Sequence, residues 1–164
     1  MRLFFLFATM VAMVGQLGAQ NPLWLRYPSI SPDGTTIAFN YKGDIYTVNS
    51  QGGQAQLLTT HPDHDFMANW SPDGKEIVFA SNRYGNYDVF SMPSQGGMAR
   101  RLTFNSANDL PSSVDRNGDV LFSSSRLDSY KNSQFPSWVL SELYAVNKDG
   151  KLDQVLTTPA EFAV

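Results

Sequence analysis

A four-residue turn sequence occurs twice in this chain of 164 residues, at 31–34 and 71–74, and both copies read Ser-Pro-Asp-Gly. Each copy is followed by the same landmarks in the same order: a strand-like run ending in Phe, a second run beginning with Asp, a Gly-Gly pair and a Leu-Thr pair. A third, diverged copy begins at 115–118. Phe79 follows Phe39 by 40 residues and Phe122 follows Phe79 by 43, a period typical of propeller or solenoid repeats.

The chemistry of these landmarks predicts four short strands in each repeat. Pro presets φ for the second turn position, and Gly takes the left-handed conformation that lets a hairpin close. The flanking runs alternate Ile, Val, Phe and Tyr with small or polar residues, as half-buried strands require. No stretch outside the N-terminus has the apolar period of a helical solenoid. We therefore predict an all-β chain, a partial β-propeller of four-stranded antiparallel blades with about three blades present.

The repeats divide the chain into consecutive segments. The predicted order is a signal peptide at 1–19, blade 1 at 20–60, blade 2 at 61–104, and blade 3 at 105–158 with an insertion at 127–140. Residues 159–164 are expected to start a fourth blade, where the chain is truncated, because closed propellers have roughly four to eight blades. A three-blade arc leaves an apolar sheet face uncovered, so we expect the isolated chain to associate.

The first residues indicate export. Arg2 precedes an apolar run from Leu3 to Val14 and then small residues that end at Ala19, which is the order found in secretory signal peptides. The run is too short to span a bilayer comfortably, so we predict a periplasmic or otherwise exported protein with no membrane span after cleavage. A short N-terminal anchor is the alternative. Cleavage would change the net charge from −3 to −4, and no cluster of Lys and Arg indicates nucleic acid binding.

Two histidines lie in one short segment, 61–65, together with two aspartates. Imidazole and carboxylate groups at this spacing could hold a divalent metal, but a polar loop between two blades is the favoured interpretation. No third ligand is evident elsewhere, and the chain has no Gly-x-Ser-x-Gly nucleophile turn. We therefore predict no metal, no cofactor and no catalytic residue in the 164-residue chain as a whole.

Two arginines, Arg83 and Arg126, occupy the same position of their repeats, just after the second strand. As structural residues they would form a buried ion pair or clamp loop carbonyls. As functional residues, their guanidinium groups would contact acidic or C-terminal carboxylate groups of peptides. The insertion adds large apolar residues that either fold over blade 3 or dock a neighbouring domain or substrate. The predicted contacts to a substrate or partner are Arg83, Tyr84, Arg126, Tyr130, Phe135 and Trp138.

The second repeat resembles the TolB-type propeller repeat. Within residues 70–103 it reads Trp-Ser-Pro-Asp-Gly-Lys, Ile-Val-Phe-Ala-Ser-Asn-Arg, Gly-Asn-Tyr-Asp-Val-Phe and Arg-Leu-Thr. Three short segments, 21–28, 41–46 and 135–136, are more specific than the general repeat and are similar to the N-terminus of exported tricorn-like serine peptidases. In that family an N-terminal propeller precedes a PDZ module and a C-terminal catalytic domain, and the propeller is thought to admit and guide peptides.

The resemblance implies that this chain is the propeller portion of such a peptidase, guiding or filtering peptides, with the catalytic residues downstream. Its expected partners are peptides or other domains of the parent chain. Whether the full-length protein forms a homo-oligomer stays open. Two alternatives also stay open: a non-enzymatic TolB-like envelope propeller that scaffolds protein contacts, and the propeller of a prolyl-oligopeptidase-type enzyme. TolB itself has an α/β domain before its propeller, whereas here the first blade follows the predicted cleavage site directly.

Overall fold

The computed structural model describes residues 24–126 and 142–157, which form three antiparallel sheets and contain no helix. The first sheet contains β1 (Arg26–Ile30), β2 (Thr36–Tyr41), β3 (Asp44–Asn49) and β4 (Gln56–Leu57). The second contains β5 (Asp65–Trp70), β6 (Glu76–Ser81), β7 (Asp88–Pro93) and β8 (Arg100–Arg101). The third contains β9 (Asp109–Val114), β10 (Val120–Ser124), β11 (Glu142–Val146) and β12 (Leu152–Thr157). The predicted partial propeller of four-stranded blades is therefore confirmed.

Within the described ranges, no helix is long and apolar enough to cross a membrane. The predicted signal peptide and the insertion at 127–140 lie outside the described residues.

The strands of each sheet pair in sequence order, so every blade is a meander. The three phenylalanines that mark the repeat lie on the second strands, each opposite an aromatic residue of the third strand. These cross-strand ring pairs stack at 5.6 to 5.8 Å between centroids. The pairs are Phe39 with Tyr46, Phe79 with Phe90, and Phe122 with Tyr144.

The Ser-Pro-Asp-Gly turn joins the first two strands through the bonds that its residues predict. The Ser31 hydroxyl donates to the Asp33 carboxylate at 2.6 Å and accepts from the Thr36 N–H at 2.9 Å. Gly34 has φ of 73° and donates its N–H to the Ser31 carbonyl at 2.8 Å. Hydrogen bonds from Ser31 and then Thr35 lower the pKa of Asp33.

The diverged third turn keeps this geometry with different side chains. Asp115 takes the place of the serine, and its carboxylate accepts from the N–H groups of Asn117 at 2.8 Å and Asp119 at 2.9 Å. Gly118 has φ of 90° and donates to the Asp115 carbonyl. The turn therefore tolerates a change of sequence because a short polar side chain at its first position still satisfies the backbone.

The connections of each sheet lie at two opposite ends. The Ser-Pro-Asp-Gly turns and the β3–β4, β7–β8 and β11–β12 turns are at one end, which we call the turn end. The β2–β3, β6–β7 and β10–β11 connections and the linkers between sheets are at the other, which we call the loop end. Successive first strands, β1, β5 and β9, contact one another, so they form the inner edge of the arc.

The core lies between the sheets, in two apolar layers. The layer between the first and second sheets contains Ala38, Ile45, Ala68, Ile77, Phe79, Phe90 and Met92. The layer between the second and third contains Val78, Val89, Leu102, Val120, Phe122, Tyr144 and Val146. Packing of each sheet against its neighbour is what holds such a repeat together.

The first sheet has one apolar face that no described residue covers. Phe39 and Tyr46 on this face are only half-buried, whereas their equivalents Phe79 and Phe90 are at most 1% exposed. An open groove runs along this face, and Ile37 and Val48 also line it. The described sheets therefore show the uncovered face that the sequence predicts for a three-blade arc.

Candidate functional site

The two predicted arginines hold equivalent places at the loop end. Arg83 donates from Nη2 to both carboxylate oxygens of Asp65, at 3.0 and 3.1 Å, and from Nε to the Ser81 hydroxyl at 2.8 Å. The carboxylate belongs to the first strand and the serine to the second. The arginine therefore ties the inner edge of the sheet to the strand beside it.

Arg126 repeats this arrangement in the third sheet. Its Nη2 donates to Asp109 at 2.6 Å, and its Nε donates to the Ser124 hydroxyl at 2.9 Å. Each guanidinium also lies over the stacked ring pair of its own sheet. Arg83 is 4.5 Å from the Phe90 centroid, and Arg126 is 4.7 Å from that of Tyr144.

These contacts occupy most of both guanidinium groups. The Arg83 side chain is 14% exposed and that of Arg126 is 9% exposed, while both carboxylates are fully buried. The buried ion pair, which the sequence suggested as the structural role, is thus present in two sheets. Contact of Arg83 and Arg126 with a substrate stays a prediction.

A third ion pair, at Arg101, was not singled out from the sequence. Arg101 pairs with Asp88 at 2.6 Å and lies between two exposed rings, 4.8 Å from the Tyr84 centroid and 4.9 Å from that of Phe104. Tyr84 also stacks on Phe90 at 6.1 Å. The Arg-Leu-Thr landmark contains this arginine, but no equivalent arginine precedes Leu-Thr in the first or third repeat.

Two buried carboxylates at the loop end, those of Asp88 and Asp109, have raised pKa values. Burial raises the pKa of Asp109, while the hydrogen bond from Ser124 and the charge of Arg126 oppose the shift. Burial likewise raises the pKa of Asp88, against the contacts of Arg101, and the nearby Asp109 adds to the rise. Each of these acids is held by an arginine of its own sheet rather than solvated, which suits it to joining strands more than to acid–base chemistry.

An open pocket of about 520 Å³ lies at the loop end, beside the inner edge of the first two sheets. We call it the mouth pocket. Phe66 is central to it: its ring lies edge-on to Tyr27 at 5.6 Å and to Tyr87 at 4.9 Å, and it stacks on His64 at 5.0 Å. His64 Nδ1 is also 3.1 Å from the Tyr87 hydroxyl. The remaining aromatic walls are Trp24 and Tyr41.

Two cations lie at the rim of the mouth pocket. The Arg26 guanidinium is 5.9 Å from the Trp24 ring, and Lys42 Nζ is 5.3 Å from the Tyr41 ring. Neither cation forms an ion pair with a described carboxylate. Trp24 is 71% exposed, so its ring has a free face. The pocket therefore combines open aromatic surface with positive charge that the rest of the described chain does not neutralise.

The backbone that shapes the mouth pocket is unusual. Among the described residues, positive φ at a non-glycine residue occurs only at Trp24, Tyr27, Lys42 and Met67, and the first three line this pocket. Tyr27 and Met67 lie where the β1–β2 and β5–β6 pairings shift register, which indicates β-bulges. Bulges redirect side chains and are frequent beside binding sites. Sequence reasoning missed this pocket, although the segment 21–28 was noted.

The two histidines do not form a metal cluster. His61 Nδ1 is 3.3 Å from Asp63, a local contact, whereas His64 belongs to the aromatic cluster around Phe66. Across the described ranges, no group of three or more His, Cys, Asp or Glu side chains is placed to hold an ion. Asp65, the remaining member of the segment, is bound to Arg83.

Three predicted contact residues, Tyr130, Phe135 and Trp138, lie outside the described residues, and their roles stay predictions. At the base of the insertion, Ser125 is bonded to the linker between the second and third sheets. Its N–H donates to the Asn108 carbonyl, and its hydroxyl accepts from the Asn108 N–H, each at 3.1 Å.

Comparison with curated proteins gives partial matches. The protein TolB homolog of Chlorobium luteolum is 31% identical over 80 residues, which are 48% of this chain and 18% of that protein. The peptidase YuxL of Bacillus subtilis is 36% identical over 69 residues, which are 39% of this chain and 10% of that protein. Each match thus spans less than a fifth of the relative's length.

Solved structures share the fold. A TolB structure from Agrobacterium tumefaciens matches with a TM-score of 0.68 at 22% identity, over 82% of this chain and 50% of that chain. The tricorn protease matches with a TM-score of 0.63 at 20% identity, over 79% of this chain and 13% of that chain.

The family assignment rests on a match that covers most of the sequence. The model of the tricorn protease N-terminal beta propeller domain matches residues 22–163. These residues include all three sheets. The chain therefore belongs to the family of tricorn protease N-terminal β-propeller domains.

Proposed function

We propose that this chain is the propeller portion of an exported tricorn-like serine peptidase and that its mouth pocket binds and guides peptides. The observation that carries the proposal is the pairing of exposed aromatic rings with the two cations Arg26 and Lys42, which have no described carboxylate partner. Catalysis is assigned to residues beyond this chain. Export is supported by the order of Arg2, the apolar run and the small residues at the N-terminus.

The chemistry of the mouth pocket suits the C-terminal end of a peptide. A guanidinium or ammonium group at the rim would bind the terminal carboxylate, and Arg26 could do so through two N–H donors. The adjacent rings of Trp24, Tyr27 and Phe66 would contact an apolar side chain next to that carboxylate. Because the pocket is open and its cations are solvated, we expect weak binding, which lets a guided peptide leave again.

The test is a calorimetric titration of the full chain with two short peptides. Both carry a C-terminal Phe, one with a free carboxylate and one with an amide. The free acid should bind more tightly, because exposed ion pairs contribute about 0.2 to 1 kcal/mol each and two are available. Substituting Arg26→Gln and Lys42→Gln together should remove that difference. Lys75→Gln with Lys151→Gln, which also removes two positive charges but at the turn end, should leave it in place.

Two results would count against the proposal. One is equal affinity of the wild-type chain for the acid and the amide. The other is an acid preference that the paired change at Arg26 and Lys42 leaves intact, since the carboxylate would then be bound elsewhere.

A further inference from the structure

A second cationic site lies at the turn end, in a crevice between the second and third sheets. Besides Lys75, which lies near Asp73, three cations from three different elements line it: Arg100 at the start of β8, Arg116 in the β9–β10 turn, and Lys148 in the β11–β12 turn. We call this the cationic crevice. It measures about 740 Å³ and is open to solvent along its length, so it has room for several residues of an extended chain.

The three cations have no carboxylate partner among the side chains that the structure describes. Arg100 donates from Nη1 to the Lys148 carbonyl, which brings two of the cations together. Three acids also line the crevice, and two of them are engaged with other groups: Asp73 lies 3.8 Å from Lys75, and Glu76 accepts from the Ser91 hydroxyl at 2.7 Å. The third, Asp149, follows Lys148 in the same turn, so the cations outnumber the acids by four to three. The positive charge in the crevice is therefore available to a ligand.

The equivalent crevice between the first and second sheets shows that the fold does not need these charges. Gln56 occupies the place of Arg100, because each lies at the same register opposite the third strand of its sheet. Pro72 occupies the place of Arg116 in the turn, and Ser94 that of Lys148. All three of these neutral residues line a crevice of about 640 Å³. A crevice at the equivalent place, with neutral residues at these three positions, thus indicates that the fold does not require the cations.

We infer that the cationic crevice is a binding site for an acidic polypeptide segment, one that presents several Asp or Glu side chains in an extended conformation. Three cations spaced over three elements match a row of carboxylates better than a single small anion. The amide of Asn117 lines the same crevice and can bond the backbone of a peptide.

A nucleic acid fits the cationic crevice less well. No aromatic side chain lines it, so it has no platform on which a base could stack. The crevice is at the opposite end of the sheets from the mouth pocket, so this inference does not depend on the proposed function.

The test uses the full chain and an N-acetylated, C-amidated peptide of six glutamates, which lacks the terminal carboxylate that the mouth pocket would bind. Calorimetry at low salt should detect binding that weakens as salt is added. Replacing the three cations with Gln should reduce the affinity by about tenfold or more, as expected for losing several exposed ion pairs. Lys151→Gln is the matched control, because Lys151 lies beside the same turn but does not line the crevice.

A second variant guards against loss of folding in the triple variant. Arg116 is exposed in a turn, so Arg116→Glu should fold normally and should weaken binding more than Arg116→Gln does. The inference is overturned if the wild-type chain does not bind the peptide, or if neither Arg116 variant changes the affinity. It is also overturned if a single-stranded oligonucleotide or inorganic phosphate binds the crevice as tightly as the peptide.

Discussion

Arg126 donates to the buried carboxylate of Asp109 at 2.6 Å, and the same pair recurs one sheet earlier as Arg83 and Asp65. Replacing Arg126 with Met would keep contact with the rings beneath it but leave Asp109 buried and unpaired. We expect the free energy of unfolding to fall by about 3 to 5 kcal/mol at neutral pH, the usual cost of removing one partner of a buried ion pair. Urea titration measures this change.

The pH dependence of that variant tests the cause. Burial already raises the pKa of Asp109, and loss of Arg126 removes a contact that lowers it. A folded-state pKa above the unfolded value means that protonation of Asp109 stabilises the fold. The loss of unfolding free energy in the Arg126→Met variant, relative to the wild type, should therefore shrink as the pH falls through the folded pKa. Adding Asp109→Asn should recover much of the loss. A deficit independent of pH would show that the arginine acts through packing alone.

Phe79 and Phe39 are equivalent residues with unequal burial. Phe79 is 0% exposed between two sheets, whereas Phe39 lies on the uncovered face of the first sheet. Phe79→Ala should therefore cost about 3 to 5 kcal/mol of unfolding free energy. Phe39→Ala should cost roughly 1 to 2 kcal/mol, because less apolar surface returns to water. Equal costs, measured by urea unfolding of both variants, would mean that another surface covers this face in solution.

The turn aspartates should make stability fall in acid. Hydrogen bonds from Ser31 lower the pKa of Asp33 below 3.8, so its contribution is present above that pH and is lost as the pH falls through the folded pKa. Asp33→Asn should destabilise the chain near neutral pH and converge with the wild type in strong acid. The third repeat has Asn117 at this position, so the turn itself should survive. A constant gap between the two unfolding curves at all pH values would exclude the charge as the cause.

The repeat landmarks predicted the sheets well because they encode local chemistry. Gly34 adopts positive φ, and Ser31 bonds Asp33, as the turn sequence requires. The position of Arg83 after the second strand was also correct, since equal spacing in each repeat gives equal places in each sheet. Its partner Asp65 could not be identified, because the two lie 18 residues apart and meet only when β5 and β6 pair.

The mouth pocket could not be derived from the sequence for a different reason. The pocket draws on three parts of the chain: Trp24 precedes β1, Arg26 begins β1, and Lys42 lies in the tight turn between β2 and β3. These residues converge because β1 carries a bulge and packs on β5. Positive φ at the bulge falls on Tyr27 rather than on a glycine, so the sequence gives no sign of it. Comparison of Arg26 with Phe66, its equivalent on β5, could have indicated an unusual cation at the inner edge.

Binding of peptide in the mouth pocket can be measured by hydrogen–deuterium exchange of the full chain in the presence of a saturating peptide that ends in Phe. Binding slows exchange of the amides it covers. A peptide bound in the mouth pocket should add protection at residues 24–27, 42–43 and 64–66, with none at 116–118 in the turn end. Protection confined to the turn end, or no change at any of these segments under saturation, would contradict it.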